Sequence, residues 1–534
     1  MQRWQRKVRQ VAVLCALCGA LAGAYLVRAH VKPRVTMEFH PSGLTAIKFN
    51  GTNFLDFGEF RVVRATMRQP LGATVTADLN SRVTVDAAAQ TITRKFRWGA
   101  VSTQYETEGN RLLIKVTTKN TSSDTIDGVV YEPLGLIFPS KVLEYDGSSP
   151  LLGHNVGNPT VVGLSYKDGV IVLVNEDVRK PLIIGFPWAL DRPANTIFPL
   201  RIVTGRDSML PDMLPYIQRP IKPGEADVFT LSLRFGSHGS SAVTLADDVL
   251  KKFAAVFPTE LKWKDRRPIG TVTLATAGLN SPTNPRGWFQ DRKLDVTTEE
   301  GRADFHRRLL QVAESTINVL RDMNAQGMIT WDIEGQEHAA AIYAGDPRAY
   351  ATLAPEMSQV ADEYFRTVRD AGFRVGVCVR PQELVIDKAH NNVFERETQD
   401  PKQVLMQKIA WAKQHWGASL FYIDFNGDPS RPLDADIVND VAKAFPDVLL
   451  IPEHKNLRYY AFSAPYFSLG QGAALTPGAV KAVYPDAFSV VNTAEAQVSK
   501  HRDDLMAAVR QGDILMYRTW YDDPANAEVK TLYY

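Results

Sequence analysis

The chain has 534 residues, of which 45% are hydrophobic, 22% are charged and 10% are aromatic. This length exceeds one average domain and the composition is ordinary for globular proteins, so we expect at least two folded domains. The formal net charge is +2, but the first 29 residues hold five basic side chains and no acid, which leaves 56 Lys and Arg against 59 Asp and Glu elsewhere. A balance of this kind excludes a polyelectrolyte binder, so we expect no nucleic acid partner.

The first 30 residues have the pattern of an export signal. A basic segment from Arg3 to Arg9 precedes an apolar run over 11–27, and Ala22-Gly23-Ala24 is typical of a cleavage site. The apolar run has about 17 residues, the shortest length that spans a bilayer, so a retained N-terminal membrane anchor is the alternative. We therefore expect an exported protein, periplasmic or extracellular, with residues 1–30 as signal peptide or anchor. A buried hydrophobic helix is the remaining interpretation.

Residues 35–240 are predicted to form an antiparallel β-sandwich. Short stretches of alternating hydrophobicity are separated by turn residues, as in 111–118 (RLLIKVTT), which follows Glu108-Gly109-Asn110. No helix of convincing length is indicated before Ala246. Two packed antiparallel sheets are the natural way to bury such strands. A helix over 245–257 is predicted inside a linker that extends from 241 to 265.

From residue 266 to 534 the period changes to alternating strands and helices, which predicts a (β/α)₈ barrel. The predicted strands are 269–276, 327–333, 373–379, 419–424, 448–452, 464–469, 488–491 and 513–518. The predicted helices include 302–326, 355–371, 402–416, 434–445 and 493–511. An open doubly wound sheet would explain the alternation equally well, but it would not explain the count of eight strands.

Alternation along the strands predicts which side chains point into the barrel. In the fourth strand Asp424 shares a face with Leu420 and Tyr422, and in the third strand Arg380 shares a face with Cys378. In the second strand Thr330, Asp332 and Glu334 are assigned to the inward face. Trp331, on the opposite face of that strand, is therefore predicted to point towards the helices.

Carboxylates follow several of these strands at their carboxyl ends, where barrel active sites lie. They come after the second, third, fourth, fifth and eighth strands: Asp332, Glu334, Glu383, Asp424, Glu453, Asp522 and Asp523. Clustered carboxylates raise one another's pKa values, and this costs stability unless the site uses it. Cleavage of a glycosidic bond needs such a set, because one carboxylate serves as nucleophile or base and another as acid. Each acid also has a plain alternative role: Asp424 as the cap of the turn Asn426-Gly427-Asp428, and Asp332 and Glu334 as partners in a buried salt bridge.

Other side chains near these strand ends are candidate substrate ligands. Besides Asp332 and Glu334 they are Arg380, Trp288, Tyr422, His454 and Trp520. The aromatic members could stack on the faces of sugar rings. Metal binding is the main rival use of clustered acids, but His338 and His454 stand alone, so we expect no metal and no cofactor. A metal-dependent hydrolase remains as an alternative.

Two short segments, AKQHWG over 412–417 and LFYIDFN over 420–426, resemble the melibiase-like clan of retaining α-glycosidases, which comprises the α-galactosidases and their relatives. The resemblance implies a β-sandwich joined to a (β/α)₈ barrel, with Asp424 as the nucleophile. It further implies that Asp332 and Glu334 bind sugar hydroxyls and that Glu453 is the acidic residue of the fifth strand.

The sequence departs from the family pattern at two places. Tyr422 stands where the family commonly has lysine, and 464–472, around the sixth strand, carries no carboxylate to serve as general acid. Asp486, in the loop that follows, is the nearest substitute. The general acid is therefore predicted to be Glu453, Asp486 or Glu334.

Together these features predict an exported, metal-independent glycoside hydrolase that acts on a carbohydrate through Asp424 and a second carboxylate, with an α-linked bond the expected target. The missing acid on the sixth strand motivates an alternative of another class. In that alternative the protein is a non-catalytic carbohydrate-binding or cell-surface scaffold with a degenerate barrel.

Overall fold

The computed structural model describes residues 34–139, 142–145, 161–180, 182–186, 190–191, 195–205, 219–275, 278–336, 344–389, 392–428, 431–469, 475–493, 498–518 and 525–533. The predicted signal or anchor, residues 1–30, lies outside this set. Among the described helices, none is both long enough and apolar enough to cross a membrane.

The N-terminal half consists of antiparallel sheets, as predicted. A small sheet joins Val35–His40, Gly43–Phe49 and Thr52–Asn53. The largest sheet contains, in spatial order, Val142–Tyr145, Val161–Tyr166, Gly169–Asn175, Ala226–Ser237, Arg111–Asn120, Gly99–Glu108, Thr91–Lys95 and Arg82–Asp86. A five-stranded sheet contains Ile183–Gly185, Arg201–Gly205, Thr125–Glu132, Arg61–Arg68 and Thr74–Thr76. A four-stranded sheet contains Leu190–Asp191, Thr196–Pro199, Gly135–Phe138 and Leu55–Phe57.

Alternation along the strands produces the sandwich core. In Arg111–Asn120 the side chains of Leu112, Ile114 and Val116 are fully buried between the sheets, while Lys115 between them is exposed. Successive side chains of a strand point to opposite faces, so one apolar face per sheet suffices for a two-layer core.

One strand of the largest sheet, Gly169–Asn175, is buried along its whole length. Ile171 and Leu173 belong to the sandwich core, whereas Val170, Val172 and Val174 pack in the same apolar cluster as the barrel domain. The helices Ala242–Leu245 and Asp247–Val256 take part in that second contact. A strand with both faces covered has no solvent side, which explains its unbroken apolar sequence.

The C-terminal half is a parallel barrel of eight strands with helices outside, as predicted. The strands are Ile269–Val272, Gly327–Thr330, Arg374–Val379, Leu420–Ile423, Leu449–Pro452, Tyr466–Ser468, Val490–Asn492 and Ile514–Arg518. The larger helices are Glu299–Asp322, Ala361–Asp370, Pro401–Trp416, Ala435–Ala444, Arg502–Arg510 and Ala525–Tyr533. Shorter helical segments are Pro347–Ala349, Tyr350–Leu353, Met357–Gln359, Leu457–Ala461, Gly478–Val483 and Val498–His501. The strands have the spatial order five, four, three, two, one, eight, seven, six. Ala464, just before the sixth strand, donates its N–H to the carbonyl of Leu450 in the fifth strand (3.0 Å), and this hydrogen bond connects the two ends of the sheet.

The approach to the fourth strand shows how the local sequence determines this fold. Asp400 caps the helix Pro401–Trp416 by accepting a bond from the Gln403 N–H, and proline at the first helical position loses no intrahelical bond. Gly417 ends the helix with a φ of 67°, a left-handed conformation in which glycine is unstrained. The chain therefore reverses at Gly417 and enters the buried strand Leu420–Ile423.

The interior of the barrel tests the predicted strand faces. Cys378, Leu420 and Tyr422 belong to the interior apolar cluster, which confirms the faces assigned to the third and fourth strands. Leu449 and Ile451 are also interior, so the inward face of the fifth strand leads to Glu453.

The face assigned to the second strand is wrong. Ile329 and Trp331 face the barrel interior, whereas the Thr330 hydroxyl lies 3.2 Å from the Tyr364 hydroxyl on the surrounding helix. All residues of Gly327–Thr330 are buried, so polarity did not distinguish inside from outside. Thr330 can point towards the helices because the Tyr364 hydroxyl provides a hydrogen-bond partner for its side chain there.

Candidate active site

The side chains at the barrel mouth are placed by the ladder of parallel strands. The Asp424 N–H donates to the Val379 carbonyl (2.9 Å), and the Glu453 N–H donates to the Ile423 carbonyl (3.0 Å). These bonds continue the strand pairing for one residue beyond the fourth and fifth strands. Because side chains alternate along a strand, Asp424 and Glu453 follow Tyr422 and Ile451 on the inward face. Two acids from adjacent strands therefore meet at the mouth of the barrel.

Asp424 is bound by a guanidinium from the third strand. Arg380 donates through Nε to Asp424 Oδ2 (2.5 Å), and its Nη2 contacts the same oxygen. The side chain of Asp424 is only 12% exposed and that of Arg380 only 11%. Burial raises the pKa of Asp424 above its usual range and the nearby Glu453 raises it further, while Arg380 opposes both effects. Arg380 thus supplies the charge that favours ionised Asp424 in a site that otherwise disfavours it.

Glu453 is the more exposed acid, with 29% of its side chain accessible. Its Oε2 accepts the main-chain N–H of Phe425 (2.8 Å) and lies 3.6 Å from His454 Nε2. The main chain of His454 is in turn bound at both its N–H and its carbonyl by the side chain of Asn426. The fourth and fifth strand ends are therefore connected directly, and Glu453 keeps access to solvent.

A third carboxylate, Glu395, is not among the site residues predicted from the sequence. It lies on a hairpin formed by Glu383–Asp387 and Asn392–Arg396, which follows the third strand. Glu395 Oε2 accepts from Arg380 Nη1 (2.8 Å), so one guanidinium bridges Glu395 and Asp424. The hairpin alternates in hydrophobicity like any surface hairpin. The alternation of NVFER alone gave no signal that Glu395 points at the barrel.

The main chain around Arg380 is held from below. The buried Lys408 ammonium donates to the carbonyls of Gly345, Arg380 and Gln382 at 2.9–3.0 Å. Gly345 has a φ of 54°, and a Cβ there would come within 2.5 Å of Arg380 Cγ. Glycine at 345 thus permits the close approach that keeps the Arg380 side chain in place.

An aromatic row crosses the barrel beneath the two acids. The rings of Trp331 and Tyr422 have centroids 4.3 Å apart, and those of Tyr422 and Tyr466 lie 5.2 Å apart in an edge-on arrangement. Tyr422 is 3% exposed. The prediction that Trp331 points towards the helices is wrong, because its ring forms part of this row. Tyr422, standing where the resembled family has lysine, contributes a packed ring instead of a charge.

Asp332 supports the mouth from outside the barrel interior. It is fully buried, and its carboxylate accepts the N–H groups of Leu274 (2.9 Å) and Ala275 (2.7 Å) and the amide of Gln336 (3.1 Å). Burial raises its pKa to about 6 although these bonds lower it. Both oxygens serve the chain itself, so Asp332 fixes the end of the first strand. Asp332 was predicted to bind sugar because it was assigned to the inward face of the second strand, and the structure does not place it on that face.

Glu334 is also buried, with 1% of its surface exposed. Burial raises its pKa to about 8, and the charges of Asp346 and Asp332 act in the same direction, while the charge of Lys408 lowers it. A carboxyl that stays protonated near neutral pH has the right state for an acid. Its low exposure, however, sets it apart from the accessible Glu453. Its role as acid or sugar ligand stays a prediction.

Two of the predicted site residues, Trp288 and Asp486, are not brought to the mouth. Trp288 is fully buried: its ring packs against Phe305 with centroids 5.3 Å apart, and its indole N–H donates to Glu356 (2.6 Å). Trp288 thus lies in the wall of the barrel, and its contact with substrate stays a prediction. Asp486 is exposed in the segment that enters the seventh strand, near Arg266 at the start of the barrel, which is the end opposite Asp424. Trp520 lies outside the described residues.

No group of three or more His, Cys, Asp or Glu side chains suited to a metal ion occurs among the residues described by the structure. The described mouth instead presents two acids from neighbouring strands, one buried and paired with arginine, the other accessible to solvent. This arrangement suits nucleophilic attack by one carboxylate and proton transfer by the other.

A scan against protein-family models finds no match, and a search of the curated proteins finds no similar sequence. Among solved structures, the chain is similar to the galactosidase domain of an α-galactosidase–sucrose kinase, with 12% identity and a TM-score of 0.41 over 94% of this chain and 73% of that chain. An α-galactosidase from Lactobacillus brevis matches with 10% identity and a TM-score of 0.38 over 94% and 72%. A GH31 family sulfoquinovosidase from E. rectale matches with 9% identity and a TM-score of 0.44 over 93% and 80%. The likeness to α-glycosidases is distant, and it establishes neither activity nor substrate.

Proposed function

We propose that the protein is a glycoside hydrolase that cleaves an α-linked glycosidic bond with retention, using Asp424 as nucleophile and Glu453 as acid and base. The observation that carries the proposal is the placement of these two acids at the inward ends of adjacent barrel strands, with Arg380 on Asp424. The α linkage and the retention of configuration rest on the sequence resemblance around Asp424.

The reaction would take two displacements. Asp424 attacks the anomeric carbon while Glu453 gives its proton to the departing glycosidic oxygen, so the C–O bond breaks and a glycosyl ester forms on Asp424. Glu453, now ionised, takes a proton from water, which attacks the same carbon and releases Asp424. The two contacts described between Arg380 and Asp424 are both made to Asp424 Oδ2, so Oδ1 would be the attacking oxygen.

Burial and charge support this division of roles. Asp424 is enclosed, and a guanidinium favours its ionised form, as a nucleophile requires. Glu453 keeps 29% of its side chain accessible, so it can exchange protons with solvent in each cycle. The aromatic row of Trp331, Tyr422 and Tyr466 supplies an apolar floor below both acids.

Export of the protein, to the periplasm or the cell exterior, is also proposed. The support is the basic segment from Arg3 to Arg9 followed by the apolar run over 11–27. Whether residues 1–30 are cleaved or kept as a membrane anchor would follow from the N-terminal sequence of the secreted material.

The nucleophile is tested by Asp424→Asn, with Asp486→Asn as the matched control at the opposite end of the barrel. We expect Asp424→Asn to lower kcat on aryl α-glycosides by several orders of magnitude and Asp486→Asn to leave it unchanged. The stereochemistry of the first-formed product, followed by NMR, then distinguishes retention from inversion. Near-normal turnover by Asp424→Asn would falsify the nucleophile assignment.

The acid is tested by comparing Glu453→Ala with Glu334→Gln. If Glu453 is the acid, Glu453→Ala should keep most of its kcat/KM on a dinitrophenyl glycoside, whose leaving group needs no proton, and lose much more on an alkyl glycoside. The kcat on the dinitrophenyl glycoside should fall, because water then attacks the glycosyl ester without a base, and added azide should restore that kcat by forming a glycosyl azide. The same leaving-group dependence in Glu334→Gln, but not in Glu453→Ala, would transfer the role to Glu334.

A non-catalytic carbohydrate-binding barrel is the second candidate, and one observation favours it. The sixth strand, Tyr466–Ser468, ends without the carboxylate that the resembled family places there. Binding of oligosaccharides with no hydrolysis by the wild-type protein would establish this alternative.

A further inference from the structure

Phe425, the residue after Asp424, has an unusual conformation. Its φ is 48°, one of six positive values among the described residues other than glycine. This left-handed backbone is unfavourable for phenylalanine, because its Cβ crowds the following carbonyl. Phe425 is nevertheless 49% exposed, and it is the one large apolar residue of the described barrel that is exposed to this extent.

The strained conformation is held from both sides. The Phe425 N–H donates to Glu453 Oε2 (2.8 Å), and the Phe425 carbonyl accepts from Gln382 Nε2 (3.2 Å). The next residue, Asn426, is fully buried and its carbonyl accepts the Leu433 N–H (2.6 Å). The chain on either side of the ring is therefore fixed, while the ring itself stays out of the core.

Neither burial nor backbone preference explains a phenylalanine at 425. A half-exposed ring gains only part of the stability that burial would supply, and glycine or asparagine would fit the backbone better. Strained residues that persist in this way cluster at functional sites. The ring stands at the mouth beside Asp424, with the Arg380 guanidinium carbon 5.8 Å from its centroid.

We propose that the Phe425 ring is a binding platform on which a sugar ring of the substrate chain stacks at the entrance to the site. Aromatic faces bind the apolar C–H faces of sugars without needing a charge. Glu453 contacts the same residue through its N–H, so a sugar on the platform would lie next to the acid and be positioned for protonation of its linkage. This inference rests on the proposed function and adds a specific subsite to it.

The test compares Phe425→Gly, Phe425→Ala and Phe425→Trp in the full chain, with Leu71→Ala as control. Leu71 is an apolar side chain that is 99% exposed on the β-sandwich. The probes are 4-nitrophenyl α-D-galactopyranoside and α-D-glucopyranoside, and the α-linked trisaccharides raffinose and maltotriose. The measured quantity is the ratio of kcat/KM for trisaccharide to that for the nitrophenyl glycoside of the same sugar.

We expect this ratio to fall about 3- to 10-fold in Phe425→Gly and Phe425→Ala, the range for loss of one aromatic contact, and to be kept in Phe425→Trp and Leu71→Ala. Phe425→Gly should also melt at a higher temperature than Phe425→Ala, because glycine accepts the positive φ without strain. A purely structural role for the ring would move the melting temperatures without moving the ratio.

An unchanged ratio in both truncations, with an active wild type, would overturn the platform and leave the proposed function standing. A wild-type protein that neither hydrolyses nor binds any of the four probes, or any glycan in a wider array, would overturn both. Equal melting temperatures of Phe425→Gly and Phe425→Ala would contradict the backbone strain from which the platform is inferred.

Discussion

The ends of the second and fourth barrel strands carry the same residue type in different surroundings. Asp332 is fully buried and accepts main-chain N–H groups from Leu274 and Ala275, whereas Asp424 meets the guanidinium of Arg380 at the open mouth. A carboxylate whose oxygens are taken by its own backbone is a structural clamp. One that is held by a side-chain cation through a single oxygen keeps its other oxygen for a ligand. The partners of an acid, more than its position after a strand, indicate its role.

The largest expected effect on stability comes from Asp332→Asn. An amide at 332 would turn its own N–H₂ towards a donor, since both carboxylate oxygens accept hydrogen bonds here. Leaving buried donors unsatisfied should lower the free energy of unfolding by about 3 kcal/mol. Urea unfolding followed by tryptophan fluorescence measures this.

Asp424→Asn is the matched control for that comparison. Arg380 keeps Glu395 as a partner, and burial already disfavours the charge of Asp424, so we expect a smaller loss of stability than in Asp332→Asn. Equal losses in the two variants would remove the distinction between clamp and reactive acid.

The second expected effect is a pH dependence of stability that belongs to Glu334. Its folded pKa of about 8 lies above the ordinary value of 4.5, so the folded state binds this proton more tightly than the unfolded chain does. The resulting stability is fully present below about pH 4.5 and is lost as pH rises through about 8. Between pH 5 and pH 8 the wild type should therefore lose on the order of 3 kcal/mol more than Glu334→Gln.

Glu383→Gln serves as the control, because Glu383 is half-exposed and pairs with Arg396 on the hairpin. It should follow the wild type at every pH in the same unfolding series. Parallel pH curves for wild type and Glu334→Gln would show that Glu334 ionises normally in the fold.

The smallest expected effect concerns Glu395, which shares Arg380 with Asp424. Removing the negative charge in Glu395→Gln leaves more of the guanidinium charge to Asp424 and should lower the pKa of that acid. The acidic limb of the kcat/KM profile should then move to lower pH by about one unit or less. Glu383→Gln, on the same hairpin, should leave the limb in place, and so would Glu395→Gln if Glu395 only held the hairpin.

Much of the fold could be predicted because its signals are local and repeated. All eight barrel strands were predicted from short apolar runs, and the reversal at Gly417 was visible as a glycine between a helix pattern and a strand pattern. The inward faces of the third and fourth strands could be predicted because each strand is followed by one polar residue, Arg380 or Asp424, and side chains alternate along a strand. The interior positions of Cys378 and Tyr422 confirm them.

The rest depended on contacts between distant segments. The second strand is buried on both faces, so its polarity does not show which side chains point inward. The inward direction of Trp331 follows from the packing of its ring on Tyr422 and from the contact of the Thr330 hydroxyl with the Tyr364 hydroxyl on the helix side. Glu395 reaches the site only because a hairpin folds back over Arg380. Trp288 was expected at the rim, but Glu356, 68 positions later, draws its indole into the wall of the barrel. Nothing local in the sequence encodes these pairings.

The strand Gly169–Asn175 is covered on both faces, so expressing the sandwich and the barrel as separate fragments would uncover one of them. Val170, Val172 and Val174 meet the cluster that contains Val249 and Phe253. A barrel expressed without the sandwich, or the sandwich without the barrel, would expose that patch to water and invite aggregation. The two halves are thus obligate neighbours, and soluble fragments are best sought by trimming surface loops while keeping the chain whole across residue 241.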